Sequence, residues 1–189
     1  MAQTLVAIVS AVLVLAWAPA ASAQIWSAAG ATGAVDESDR SMYVFGSNGA
    51  VAIRSSIARG TLNLRYPVQT VPNLLIPQGD CPEMRVLLRD TGAGGRVVVR
   101  LMQLGIAGGF EGSLEQVAEI NSDGLQPVED PNQYHSHRAC LDTLPDNDFL
   151  FDLSRFTYFV EVQLTKTAAT ANPGLMAIQI CPSQGACDP

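Results

Sequence analysis

The chain has 189 residues, a formal charge of −7 and a sequence pI near 4.6. Its 11 basic residues include a single lysine, Lys166, and the arginines stand one at a time, so no basic patch exists to grip the phosphates of nucleic acid or anionic membrane. Hydrophobic residues make up 48% of the chain, and the length suits one domain with one core.

The first 23 residues, MAQTLVAIVSAVLVLAWAPAASA, carry no charge. An apolar run is followed by Pro19 and the triplet Ala21-Ser22-Ala23, the layout of a secretory signal peptide, although no Lys or Arg precedes the run. The run falls short of the ~20 residues that span a bilayer. No cysteine stands near the cleavage site to take a lipid. Cleavage after Ala23 is expected to leave residues 24–189 with no membrane anchor, in the periplasm or secreted.

Residues 24–40, rich in Ala, Gly and Ser and without clear periodicity, read as a loose lead-in whose Ile25 and Trp26 can dock on the body of the domain. Residues 41–189 then form a single domain. In GTLNLRYPV (60–68), Leu62, Leu64 and Tyr66 share one face; in EMRVLLRD (83–90), Met84, Val86 and Leu88 do. Val97, Val99 and Leu101 do so in GRVVVRLMQL (95–104), and Tyr158, Val160, Val162 and Leu164 in TYFVEVQLTK (157–166). Alternation of period two marks half-buried antiparallel strands. Shorter strands are expected at 42–45, 50–55, 134–141, 149–153 and 175–181, while 113–120 fits a strand or a helix. Turns are expected at GSNG (46–49), NSDG (121–124), LPDND (144–148) and ANPG (171–174), and DTGAGG (90–95) reads as a hairpin loop. Many short strands with frequent turns predict an all-β, antiparallel two-sheet β-sandwich, either a jelly roll or a Greek key.

Cys81, Cys140, Cys181 and Cys187 suit an exported protein stapled by disulfides. Zinc would want a C-x-x-C pair, which is absent. Four cysteines allow three pairings. CPSQGAC, with Pro and Gly between near thiols, favours Cys181–Cys187, leaving Cys81–Cys140 to close a long loop. Together, ARGTLNLRY, CPEMRVLLRDTGAGGRVVVRLMQL, FDLSRFTYFVEVQLTKTA and GLMAIQIC resemble a group of exported bacterial β-sandwich proteins to which no activity is assigned. The resemblance covers most of the chain after about Ala58. It implies a secreted all-β domain and brings no catalytic residue.

Both histidines lie in YHSHRAC (134–140). On a strand His135 and His137 share a face, about 7 Å apart along the chain, and two imidazoles can take Cu or Zn if other ligands join them. The plainer alternative turns Cys140 inward and the histidines to solvent. Asp142, Asp146, Asp148 and Asp152 gather oxygens of the kind Ca²⁺ takes, without EF-hand spacing; an ordinary turn is the plainer account of them. Glu111, Glu115 and Glu119 read as solvated. Tyr43, Tyr134, Tyr158 and Trp26 would stack sugars only if two surfaced together, and Tyr158 reads as core. No G-x-S-x-G, H-E-x-x-H or phosphate loop occurs.

These features point to an exported, non-enzymatic binding or structural module, with polysaccharide or a cell-envelope protein as partner and no cofactor other than a Ca²⁺ ion. The alternatives are a hydrolase with an Asp/Glu pair and an adhesive subunit that assembles through a sheet edge. Peptide mass spectrometry of the unreduced, exported protein is expected to find Gln24 at the N-terminus and the cross-links Cys81–Cys140 and Cys181–Cys187. An N-terminus upstream of Gln24, or crossed pairs, would refute the corresponding expectation.

Overall fold

The computed structural model of the protein describes residues 26–69, 82–126, 130–141 and 151–181. The expected signal peptide, Cys81, Cys187, Asp142, Asp146 and Asp148 lie outside these residues. The strongest alternation in the sequence becomes the central strand, β10 (Phe156–Lys166), whose residues Tyr158, Val160, Val162 and Leu164 are buried. β10 pairs along its whole length with β7 (Gly95–Gly105), and from Tyr158 onward with β5 (Gly60–Val68). Val162 therefore stands between Leu64 and Val99. β2 (Ala34–Val35) and β8 (Leu114–Asn121) flank these three, giving the order β2-β5-β10-β7-β8.

The second sheet runs β3 (Tyr43–Phe45), β4 (Val51–Ile53), β11 (Gly174–Cys181), β6 (Glu83–Arg89) and β9 (His135–Cys140), and β1 (Trp26–Ala29) also pairs with β11. Every pairing in both sheets is antiparallel. From β4 to β11 the chain changes sheet at each connection except the β7–β8 hairpin. The resulting orders, β4-β11-β6-β9 and β5-β10-β7-β8, are those of a jelly roll, which decides between the two expected sandwiches. Between the sheets, Leu62, Leu64, Tyr66, Val97, Val99 and Leu101 meet Met84, Val86, Leu88, Leu175, Ile178 and Ile180 in one core.

The structure corrects several expectations. Residues 90–95 are not a hairpin loop: β6 and β7 belong to different sheets, so DTGAGG arches from one to the other. Alternation in two neighbouring strands is the same whether the turn between them stays in a sheet or leaves it. The lead-in is not loose either. β1 and β2 join it to both sheets, and a 3₁₀ turn between them, Gly30–Thr32, is packed so closely that a Cβ on Gly30 would lie 2.2 Å from the Leu175 carbonyl oxygen. Strands of four and two residues are too short to show a period, and their small residues are what the close approach requires. Asp39, just beyond, is buried and accepts hydrogen bonds from Asn63 N at 2.9 Å and Asn63 Nδ2 at 3.3 Å.

The segment 113–120 falls, from Leu114 on, in strand β8 (Leu114–Asn121). A bulge opposite Leu101 and Met102 turns the consecutive residues Val117 and Ala118 both inward, and the broken period made the segment look helical. Of the strand expected at 149–153, the described residues belong to no strand. Phe151 packs edge-on against Tyr158, ring centroids 4.7 Å apart, and Asp152 accepts from Ser154 N in a tight turn.

Cys140 and Cys181 carry disulfides rather than free thiols. They flank Glu83, one on β9 and the other on β11. Two strand spacings, about 9.6 Å, separate them, more than the ~7 Å between Cα atoms that a disulfide can bridge. They are therefore not bonded to each other, which removes one of the three pairings.

The hydroxyl of Tyr66 donates to the Gly30 carbonyl at 2.7 Å in the buried layer and ties the N-terminal segment to β5. Tyr66→Phe leaves that carbonyl without its donor. It is expected to cost about 1–2 kcal/mol in urea unfolding, with no change in the far-ultraviolet circular dichroism. An unchanged midpoint would mean that the bond contributes nothing to stability.

Candidate functional site

At one end of the sandwich the inter-sheet arch (90–95), the 3₁₀ turn Ser122–Gly124 that follows β8, and the start of β9 enclose a half-open cleft of about 420 Å³. β8 and β9 are edge strands on the same side, so the cleft opens where the two sheets stop covering each other. Positive φ at Gly92 (79°) and Gly94 (114°) lets the arch turn sharply. The Asp90 carboxylate accepts from Gly92 N at 3.0 Å and holds that turn. Across from it, Asn121 Oδ1 accepts from Asp123 N at 3.2 Å and from Arg96 Nε at 3.2 Å, and Arg96 lies 3.2 Å from the Asp123 carboxylate. Ser122 also lines the cleft, and its hydroxyl accepts from Val97 N at 2.9 Å and so serves the strand beneath it.

Both histidines line this cleft. His137 pairs with Val86 and His135 with Leu88, each of them an inward-facing residue of β6. The expectation that the histidines face solvent and Cys140 faces inward is therefore reversed: His135, His137 and Ala139 are half-buried, and Ser136, Arg138 and Cys140 are exposed. The signal was present in the sequence, since Ala139 and Leu141 share the histidines' parity and Leu141 is fully buried. His135 Nε2 lies 2.7 Å from the Asp130 carbonyl oxygen. A carbonyl only accepts, so Nε2 carries the proton and the neutral ring keeps its lone pair on Nδ1. Burial, and then the charge of His135, hold His137 below the ordinary histidine value.

The remaining candidates do not gather here. Asp152 accepts from Ser154 N at 3.1 Å and Ser154 Oγ at 2.6 Å and pairs with Arg155, which together bring its pKa to about 2. Its carboxylate is committed to its own turn. Among the described residues no three His, Cys, Asp or Glu side chains stand close enough to hold a metal. Glu115 and Glu119 bond to Gln103 and Arg100 on the outer face, and Glu111 is exposed, as expected of solvated positions. Tyr158 is core, as expected, and Trp26 and Tyr43 pack partly buried against it. Tyr134 lies under the Arg89 guanidinium, 4.8 Å from ring centroid to carbon. No Phe, Tyr or Trp is among the described lining residues of the cleft.

No protein-family model matches this chain, and no curated protein matches it. Several solved structures are similar at low identity. One comes from work on the promiscuous specificity of carbohydrate-binding modules of the β-sandwich superfamily, with 9% identity, 82% of this chain and 56% of that chain covered, and a TM-score of 0.38. A second is the module TmCBM27, described for specific mannan recognition, with 6% identity, 82% and 86% covered, and a TM-score of 0.36. A third is a family 11 carbohydrate-binding module from Clostridium thermocellum with a β-1,3-1,4-mixed-linked tetrasaccharide, with 12% identity, 83% and 86% covered, and a TM-score of 0.27. This chain spans 56% of the first of these structures. Likeness at this level carries no argument about a ligand.

Because the folded chain resists charging His137, the unfolded chain takes up that proton first as the pH falls below about 6.5. Stability is therefore expected to decline from pH 7 toward the lower folded value, and less so in His137→Gln. Asp130, lowered first by the Asn132 backbone N–H, and Asp152 give up their contributions only below the usual carboxylate range. In an NMR titration His137 is expected to titrate below the ordinary value and to move back toward it in His135→Ala. Titration at or above that value would refute the burial account.

Proposed function

We propose that this protein is an exported binding module without catalytic activity, and that it takes polysaccharide in the cleft between β9 and the inter-sheet arch. The observation that carries the reading is the cleft's make-up. Asp90, Asp123 and Gln126 place hydrogen-bond acceptors around a mouth whose wall is Leu88, Leu125 and Pro131. Sugar hydroxyls need acceptors and the C–H faces of a pyranose need an apolar surface. The cleft's volume falls within the ~300–1,000 Å³ of small-ligand sites. A jelly-roll end holds these groups without the cost of ordering a loose surface on binding.

Several features weigh against the hydrolase. An acid–base pair needs one carboxyl raised toward neutrality, whereas Asp130 and Asp152 are lowered. The one hydroxyl among the described lining residues is bonded to backbone, and His135 is tied to a carbonyl rather than a carboxylate. Export, with Cys81–Cys140 and Cys181–Cys187 as staples that survive outside the cytoplasm, belongs to the same proposal. A second reading, an assembling surface subunit, draws on the edge strand β3, where Val44 and Phe45 are 46% and 45% exposed.

Calorimetry of the mature, oxidised protein with oligosaccharides of varied linkage is expected to find a binder. Asp123→Ala and Gln126→Ala should each weaken it about 5- to 10-fold, roughly 1–1.4 kcal/mol, and no new reducing ends should appear. Release of reducing ends would establish the hydrolase instead. Absence of any glycan binding, together with oligomers that Phe45→Ser disperses, would favour the subunit.

A further inference from the structure

The two imidazoles in the cleft are not explained by saccharide binding alone. They are the only histidines of the chain, and the strand parity of β9 brings both into one concave site instead of leaving them on the surface. We propose that His135 and His137 together bind a borderline divalent cation of the Cu²⁺ and Zn²⁺ class. The inference shares the cleft with the saccharide reading but stands on the imidazoles and does not rest on it.

Residues i and i+2 of a strand project from the same face about 7 Å apart at their Cα atoms. Cis nitrogens on one ion lie about 3 Å apart, given metal–nitrogen bonds near 2.0–2.1 Å, a convergence that two flexible χ angles per histidine can reach. The tautomer of His135 is already set. Its Nε2 proton is given to the Asp130 carbonyl at 2.7 Å, the outer hydrogen bond that metal-ligating histidines characteristically make, and Nδ1 is left to donate its lone pair.

Among the described residues, nothing fills the remaining coordination positions. No third His, Cys, Asp or Glu among the described residues stands close enough to complete a closed set, so a bound ion keeps sites for water or for an oxygen of a ligand, unlike a closed structural zinc. A two-nitrogen site follows the general order of divalent affinities, so Cu²⁺ binds more tightly than Zn²⁺, and Ca²⁺, which wants six to eight oxygens, is poorly served.

The test uses the full mature protein with its disulfides intact, stripped with EDTA and titrated with Cu²⁺, Zn²⁺ and Ca²⁺ by calorimetry. One equivalent of Cu²⁺ is expected to bind, with electron paramagnetic resonance showing superhyperfine splitting from two imidazole nitrogens. His135→Gln and His137→Gln should each lower the affinity at least tenfold and reduce the pattern to one nitrogen. The double variant, its fold checked by circular dichroism and its metal-free melt, should lose the site. No Cu²⁺ binding, tight Ca²⁺ binding without nitrogen coupling, or an unchanged Cu²⁺ affinity in the double variant would each overturn the proposal. Glycan titrations repeated in EDTA separate the two readings, since saccharide binding without metal leaves this site untouched, and metal binding without saccharide leaves only the other reading refuted.

Discussion

The paired ladders on either side of β10 are the constraint on which the rest of the structure depends. Eleven residues of one strand are bonded to β7, and nine of them to β5 as well. Each register is locked, because a slip of one residue would turn Tyr158, Val160, Val162 and Leu164 out of the core all at once. The same registers organise the outer face. Arg65, Glu161, Arg100 and Glu119 fall in one row across β5, β10, β7 and β8, with signs alternating and separations of 3.6, 3.7 and 2.8 Å. The row neutralises itself. Such partly exposed pairs add little stability individually, but opposite charges facing each other across strands disfavour the wrong register.

The second sheet cannot build itself from neighbours in the chain. β11 takes β6 on one side and β4 and β1 on the other, and β6 takes β9, all of them distant in sequence. The connections therefore cross between sheets and gather at the ends of the sandwich. The cleft is a consequence of that crossing: the 90–95 arch and the connection that runs from the turn after β8 to the start of β9 are separate stretches of chain, and they meet because each links one sheet to the other. Glu83 records the same geometry. It lies between Cys140 and Cys181 in one cross-strand row, 2% exposed, and its Oε1 has no hydrogen-bond partner among the described residues.

The long strands were legible because each buries one face along its full length, so hydrophobicity alone gives the period. Short or irregular elements were not. β1 and β2 are held by backbone hydrogen bonds and by the contact of Tyr66 with Gly30, neither of which leaves a hydrophobic pattern. The bulge in β8 made Val117 and Ala118 both core and hid a strand behind a helical spacing. At β9 two neighbouring residues pointed to opposite faces. Cys140 suggested one parity and Leu141 the other; the apolar residue was the better guide, because a disulfide forms on an outer face as readily as an inner one while an exposed leucine forfeits its burial.

By itself, then, the sequence determined that this is an all-β chain of alternating strands, with a core drawn from particular alternate residues and no run of basic residues, because those properties depend on residue type and spacing along the backbone. Which strands pair, whether a glycine-rich turn stays within a sheet or leaves it, and which way the histidines point were decided by tertiary structure. Each depends on the partner a strand finds across the fold. His135 and His137 became neighbours of Asp90 and Asp123 only when β9 settled against β6 and the chain crossed back between the sheets. A local pattern records the face of a strand, but it does not record what that face meets.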